Sequence, residues 1–504
     1  MTDLLPDTRR LAISRTASLP TRKQLEKLDH LLIVVPEDLA TTAWKKLPAG
    51  SRLLRLQKRI GSKSAIPAAQ TRLSNSAQTG ISLGMLPADA TAFKRLDLAR
   101  HLVGDALRQS NPATLAVLVS GFKPDTGTAI AEAVAATSLA TVSPLPSRKK
   151  KPKPAPRFRS LKIFGDVKLN LRRLRAENEG NHLARWLTML PPNDLDAAGY
   201  RERVTALATE HGWEVDFLDQ KKLARRGAGA FLAVAQAGDK NAGIVHLRYR
   251  PEGGGRKRPD LALVGKGVCF DTGGVNLKPA RHMQNMHDDM QGSAVALGVL
   301  TTLSEMQSKL SVDCWLAITE NLIGPLAYKP MDVVEAADGT TIEVIHTDAE
   351  GRMALADTLA LAAKKKPRLI IDYATLTGAC VAALTARYSG AFTNREKFNP
   401  LLIAAGEQCG ERVWPFPMDE DFDTALSSTI ADIKQCTLDG EGDHILAARF
   451  LSRFAGSAPW VHIDLASGRN RGGLAHISSD VTGFGVRYTM NLLHEQGLLE
   501  LSNA

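Results

Sequence analysis

Two short acidic stretches constrain this chain more than anything else in it. The first, GKGVCFDTGGVNLKPARHMQNMHDDMQG, runs from Gly265 to Gly292, and the second, HTDAEGR, from His346 to Arg352. Together they carry the carboxylates Asp271, Asp289, Asp348 and Glu350, the lysines Lys266 and Lys278, and Arg352. All seven sit beside glycine-rich or turn-like backbone, with long apolar runs on either side. Carboxylates gathered at strand ends repel one another unless a cation lies between them. Such an oxygen-rich donor set suits hard or borderline ions such as Mg²⁺, Mn²⁺ or Zn²⁺ rather than thiolate-loving ones.

The flanking runs decide the fold class. YRERVTALATEHGWEVDFLD, from Tyr200, reads as a helix, a break at Gly212 and a strand. GIVHLRYR, DLALVGKG, DCWLAITEN and RLIIDYATLTGA read as further strands, the third of these leading on from the first acidic stretch and its helix GSAVALGVLTTLSEM. DLALVGKG is expected to be a short strand running into that stretch. The helix GRMALADTLALAAKKKP starts directly after Glu350, and its three lysines suit the negative end of the helix dipole. Repeated strand–helix units predict an α/β fold with a mostly parallel (mixed) sheet flanked by helices. Ligand-bearing loops then lie at the C-terminal ends of the strands.

The first third of the chain reads as a smaller α/β domain of its own. HLLIVVPEDL (from His30) and ATLAVLVSGF (from Ala113) read as strands. Between them FKRLDLARHLVGDALRQS has helical spacing, with Leu96, Leu98, Ala99, Leu102 and Leu107 mostly on one side. DTGTAIAEAVAATSLATV is expected to be a helix opening at a cap-like Asp125. The expected division is a domain of residues 1–174 and a catalytic domain of residues 175–504, the latter opening on a helix from Arg175 stopped by Pro191 and Pro192. Residues 144–160 of the first domain are rich in proline and like charges, and read as an exposed, extended basic loop before a last strand at Leu161.

Charge is distributed unevenly. Residues 1–160 hold 26 Lys and Arg against 11 Asp and Glu, whereas the whole chain holds 64 against 53, so the basic character belongs to the first third alone. A solvated loop accounts for the basic segment, because neither aromatic interleaving nor a recognised nucleic-acid motif accompanies it. DNA or acidic-surface binding is the functional alternative. Five cysteines, Cys269, Cys314, Cys380, Cys409 and Cys436, form no C-x-x-C pair and suit buried thiols in a reducing compartment. The N-terminus mixes acids and bases without an apolar core, and no run approaches the ~18 apolar residues of a membrane span. The expectation is a cytoplasmic protein that does not enter a membrane. Neither H-E-x-x-H nor the G-x-x-x-x-G-K-[ST] phosphate loop occurs, and no G-x-S-x-G elbow of a serine hydrolase is expected.

TDAEGR, together with GKG, FDTGG, KP and DMQG at this spacing, resembles the signature of the leucyl aminopeptidase family, the cytosolic dinuclear metallo-aminopeptidases. ENLIGPLAYKPMDVVEAADGTTIEV between the two stretches and YATLTGA after them strengthen the resemblance, which extends from about Asn181 to the C-terminus. The resemblance implies two divalent ions, Mn²⁺ or Zn²⁺, bridged by Asp271 and Glu350. Asp348 would complete one site, and Lys266 and Asp289 the other. A lysine ligates only as the neutral amine, so the ions would have to depress a pKa that starts near ~10.4. Without the resemblance, a lysine in an acidic cluster reads as a counter-ion.

The resemblance further implies that Lys278 polarises the scissile carbonyl and that Arg352 holds a bicarbonate acting as general base. Met286, Thr375, Leu376, Gly378 and Ala466 would contact substrate, a peptide with a free N-terminus and a leucine-like first residue. A homohexamer is also implied. The chain departs from the family pattern at His346, where Asn is usual, which suggests a turn-capping or otherwise structural histidine. It departs again at LDGEGDHILAARFL, from Leu438, where the family has GGR, small residues and TAA.

Overall fold

The computed structural model describes residues 4–7, 10–60, 66–151, 155–252 and 258–502. Residues 152–154 of the expected basic loop therefore lie outside the described residues. Buried, β-branched strands build two sheets. A six-stranded sheet takes its strands in the order Ala12–Thr16, Ser160–Phe164, Thr114–Val119, His30–Pro36, Gly80–Leu86 and Ala69–Arg72. All pairs are parallel except the last. The helices Ala92–Ser110 and Pro124–Val142 cover one face of it, and Gly50–Ile60 packs on the other.

Three details of this unit differ from the sequence reading. The second helix starts at Pro124, whose fixed φ and missing N–H suit the first helical position, and Asp125 lies in the first turn without capping it. The basic loop is exposed from Ser147 to Lys151, yet Phe158 within it is fully buried in the core and anchors its far end. Its near end is tied down as well, since Pro144 O meets His182 Nε2 at 2.6 Å and Arg148 pairs with Asp194. The third concerns Gly80-Ile81-Ser82-Leu83-Gly84, which spells the G-x-S-x-G of a serine-hydrolase elbow. It lies inside a strand, with Ser82 fully buried and its Oγ shared by His30 Nε2 at 2.9 Å and Asp105 Oδ2 at 3.0 Å. No sharp turn presents this serine to a substrate, so it is a core polar cluster.

The eight-stranded sheet runs Val413–Pro415, Ser389–Thr393, Trp460–Asp464, Leu369–Ala374, Leu261–Asp271, Val312–Asn321, Gly243–Tyr249 and Glu214–Asp219. Its four central strands, Trp460–Asp464 through Val312–Asn321, are mutually parallel, and antiparallel pairs flank them, so the sheet is mixed. Helices Leu171–Thr188, Ala197–His211, Gln291–Glu305 and Val486–His494 cover one face. Helices Gly229–Ala235, Glu350–Ala363 and Asp443–Phe454 cover the other. Burial on both faces explains why the central strands are continuously apolar. The first of these helices begins at Leu171, so the expected division at 174/175 falls inside it.

The strand expected to run into the first acidic stretch does so and extends further than DLALVGKG, ending at Asp271, so that Lys266 and Asp271 are both strand residues. Close packing requires this. A Cβ on Gly265 would lie 2.4 Å from Ser293 Cα, and one on Gly292 would lie 2.0 Å from Tyr373 O. The glycines let the first turn of helix Gln291–Glu305 rest directly on the strand backbone, which fixes Asp289 beside Lys266.

Gly292→Ala is therefore expected to cost about 3 kcal/mol, since only backbone movement relieves the overlap. Gly378→Ala meets nothing within 4 Å and is expected to leave the melting temperature unchanged. Thermal unfolding of the two variants checks this, and equal melting temperatures would contradict it.

Candidate metal centre

Parallel strands deliver the site from their C-terminal ends. Lys266 lies in the middle of strand Leu261–Asp271 and Asp271 is that strand's last residue, both 2 % exposed. Lys278 follows in the loop after the strand, and Asp289 precedes helix Gln291–Glu305. Asp348 lies in the turn that leads to helix Glu350–Ala363, whose first residue is Glu350. Thr375 follows strand Leu369–Ala374.

These residues converge. One oxygen from each of Asp271, Asp348 and Glu350 falls in a group within 4.8 Å. Lys266 Nζ lies 2.8 Å from both Asp289 Oδ1 and Glu350 Oε1, and donates to Thr375 O at 3.0 Å. Lys278 Nζ lies 2.9 Å from Asp271 Oδ2 and 2.5 Å from Asp348 Oδ1. Thr375 Oγ1 donates to Asp289 Oδ1 at 2.8 Å. Gly351 has no side chain because Lys266 is there: a Cβ would lie 2.7 Å from its Nζ.

Burial foremost, and then the charge of Glu350, raises the Asp271 carboxyl to about 7. Burial likewise pushes Asp289 well above the usual carboxylate range, which Lys266 offsets only in part. Burial would raise Glu350 too, but Lys266 and then Lys278 hold it below its ordinary value. Both lysines are raised by the surrounding carboxylates against the opposing effect of burial. Four carboxylates thus share two ammonium groups, and burial resists the charge of those that the lysines do not offset. Asp289 Oδ2 is buried with no hydrogen-bond partner, a cost that a bound cation would remove. The donor set fits divalent metal on both counts, and the position of Lys266 Nζ is that of a counter-ion or of a ligand sharing a cation with Asp289 and Glu350.

A supporting layer orients these groups, and sequence reasoning missed most of it. Asn321, the last residue of its strand and 1 % exposed, donates from Nδ2 to Asp271 Oδ1 at 2.8 Å and to Thr347 O at 3.0 Å. The signal for it was a polar residue closing the apolar run DCWLAITEN. Thr347 Oγ1 donates to Gly273 O and accepts from Asn276 N, tying the two acidic stretches together at 2.6 and 2.8 Å. His346 Nδ1 accepts Asp348 N–H at 3.2 Å, which is the turn-capping role considered for it. Gln435, which no motif marked, accepts from Ile345 N and His346 N and donates to Ala349 O.

Arg352 is 2 % exposed, and its partners belong to the protein: Nη1 donates to Gln435 O at 3.0 Å and Nη2 to Asp443 Oδ1 at 2.7 Å. The residues expected to meet substrate are scattered more widely. Met286 is half-buried three residues before Asp289, Ala466 is buried, and Gly378 is exposed at the start of helix Gly378–Leu384. Leu376 is half-buried, and its N–H is held by Asp464 Oδ1 at 3.2 Å.

Comparison with known proteins agrees with this geometry. The family model described as "Cytosol aminopeptidase family, catalytic domain" matches residues 182–490. A "Probable cytosol aminopeptidase" of Wolbachia pipientis is 40% identical over 326 residues, covering 64% of this chain and 65% of that protein. The aligned part thus spans less than two thirds of this relative's own length. A tomato leucine aminopeptidase mutant superposes with a TM-score of 0.82 at 27% identity, covering 97% of this chain and 98% of its own. The bottromycin maturation enzyme BotP in complex with Mn superposes with a TM-score of 0.77 at 29% identity, covering 93% and 99%. The matched segment takes in more than half of the sequence and every carboxylate and lysine of the centre, and the chain belongs to the cytosol aminopeptidase family.

Proposed function

We propose that the chain is a metal-dependent aminopeptidase that releases N-terminal residues, leucine-like ones preferred, from peptides with a free amino terminus. The convergence of Asp271, Asp348 and Glu350 oxygens within 4.8 Å, beside two lysines, carries this reading. Lys266, Asp271, Asp289, Asp348 and Glu350 would hold two divalent ions, Mn²⁺ or Zn²⁺, and the Mn bound by the structural neighbour supports this. When bound, the ions supply Lewis acidity and lower the pKa of water enough to make it a nucleophile at neutral pH.

The chain's own residues do the remaining work. Lys278 is less deeply buried than Lys266, and its ammonium lies at the outer side of the carboxylates, where it would polarise the scissile carbonyl and stabilise the developing negative charge. Asp289 would receive the substrate's α-amine. Thr375, Leu376 and Gly378 would hold the peptide backbone, with Met286 and Ala466 lining the pocket for the first side chain. Arg352 would carry the anion that accepts a proton from the attacking water, a bicarbonate on the family's pattern. Within this reading the protein acts as a homohexamer in the cytoplasm. Among the described residues, no helix is long and apolar enough to cross a membrane. DNA binding through the exposed basic residues Arg148 to Lys151 is a separate proposal, which a steep fall in DNA affinity with rising salt would support.

Release of p-nitroaniline from leucine-p-nitroanilide is expected with added Mn²⁺ or Zn²⁺, to cease on chelation and to return when metal is restored. Glu350→Ala should not recover with metal, and Lys278→Ala should lose about 10²–10³-fold in kcat. No turnover of this substrate or a panel of free-N-terminus peptides, with metal demonstrably bound, would contradict the reading. Asn321→Ala removes the hydrogen bond that aims Asp271, and should weaken Mn²⁺ binding by about 10–100-fold in calorimetry. An unchanged affinity would rule out that orienting role.

A further inference from the structure

Strand Trp460–Asp464 carries buried polar groups that the proposed chemistry leaves unused. Alternate residues of a strand face the same way, so Trp460, His462 and Asp464 share one face of the sheet. Trp460 Nε1 donates to Asp372 Oδ2, and His462 Nδ1 meets Asp372 Oδ1, both at 2.6 Å. Asp372 and His462 are partners across the two strands, as are Ala374 and Asp464. Side chains thus reinforce the backbone register, and Asp464 is held level with the end of strand Leu369–Ala374.

Asp464 is 1 % exposed, and a carboxylate so deep needs hydrogen bonds. Its two oxygens accept from consecutive residues just beyond that strand end. Oδ1 accepts from Leu376 N at 3.2 Å, and Oδ2 from Thr377 Oγ1 at 2.8 Å. Thr377 Oγ1 in turn accepts the Cys380 N–H at 3.1 Å and so caps helix Gly378–Leu384. The carboxylate therefore grips the three-residue crossing from strand to helix. Thr375, the remaining residue of that crossing, serves the metal centre instead. Its Oγ1 donates to Asp289 Oδ1 at 2.8 Å, and its main-chain oxygen accepts from Lys266 Nζ at 3.0 Å. An ammonium has three donors, and Lys266 directs the other two to Asp289 Oδ1 and Glu350 Oε1, both at 2.8 Å. Thr375 thus supplies one of the three acceptors that aim Lys266. With Lys266 it also occupies Asp289 Oδ1, which leaves Oδ2 as the oxygen of that carboxylate without a hydrogen-bond partner.

We propose that Asp464 is the positioning residue of the Lys266–Asp289 half of the metal centre. By holding Leu376 N and Thr377 Oγ1 it fixes the backbone next to Thr375, and so sets where Thr375 presents its hydroxyl to Asp289 and its carbonyl to Lys266. The other half is oriented separately, because Asn321 Nδ2 holds Asp271, and Lys278 lies against Asp271 and Asp348. Loosening the crossing should therefore weaken one cation and spare the other. This role rests on the metal-binding reading of the cluster.

Mn²⁺ titration of the full-length protein by calorimetry tests it. The wild type is expected to take up two ions. Thr377→Val keeps the side-chain shape without the hydroxyl, and should weaken one ion by about 10–100-fold while leaving the other unchanged. Thr377→Ser restores the hydroxyl and should restore the wild-type affinity. Asp464→Asn, whose amide nitrogen cannot accept a hydrogen bond, should weaken the same ion. Thr302→Val also removes one buried hydroxyl, which bonds Ala176 O at 3.2 Å and Gly298 O at 2.8 Å at the far end of helix Gln291–Glu305. It should leave both ions bound as in the wild type. Unchanged affinity in either Thr377→Val or Asp464→Asn overturns the proposal. So does equal weakening of both ions, a serine variant no better than the valine one, or the same weakening in Thr302→Val. A wild type that binds no Mn²⁺ overturns the metal-binding reading and this role with it. A wild type that binds two ions but turns over neither leucine-p-nitroanilide nor any free-N-terminus peptide overturns the aminopeptidase reading alone, and the titration still decides the role of Asp464.

Discussion

Four carboxylates held against two lysines, with Asp271, Asp289, Glu350 and Lys266 buried and Asp348 and Lys278 half-buried, are the constraint on which the catalytic half depends. Repulsion within such a set is tolerated only where the surrounding backbone fixes each group, and strand ends and helix starts do that here. Asp271 ends a central strand, Glu350 begins a helix, and Asp289 immediately precedes another. The glycines at 265, 292 and 351 follow from the same requirement, because each removes a side chain from a position where Lys266 or a neighbouring backbone must lie. The parallel arrangement of the four central strands brings all these ends to one side of the sheet.

Much of this was legible in the sequence for physical reasons. Continuous apolar runs such as DLALV and RLIID occur only where both faces of a strand are covered, and the helices over both faces of the sheet bear that out. The seven charged residues of the two acidic stretches could be picked out because polar groups interrupting such runs need a reason to be buried. The lengths of elements were less readable. The strand carrying Lys266 and Asp271 extends through GKGVCFD because neighbouring strands supply its hydrogen bonds, which no local propensity records. Phe158 looked like part of a solvated basic loop, since its burial depends on the sheet it returns to.

The supporting groups were the least legible. Asn321, Gln435 and Asp443 are ordinary polar residues in sequence, and their roles depend on contacts across 50, 83 and 91 positions. Asp443 falls in the stretch that departs from the family pattern, and there the departure carries information. A carboxylate there pairs with the Arg352 guanidinium, while the carboxylates and lysines of the centre are all retained.

Anomalous diffraction from crystals grown with Mn²⁺ tests the central claim most directly, that this cluster is a two-cation site. The account expects two peaks about 3.5–4 Å apart. Asp271 and Glu350 should lie between them, with Asp348 on one ion and Lys266 and Asp289 on the other. A single ion, an empty cluster at saturating Mn²⁺, or Lys266 still paired to Asp289 and Glu350 with no ion between them would contradict it.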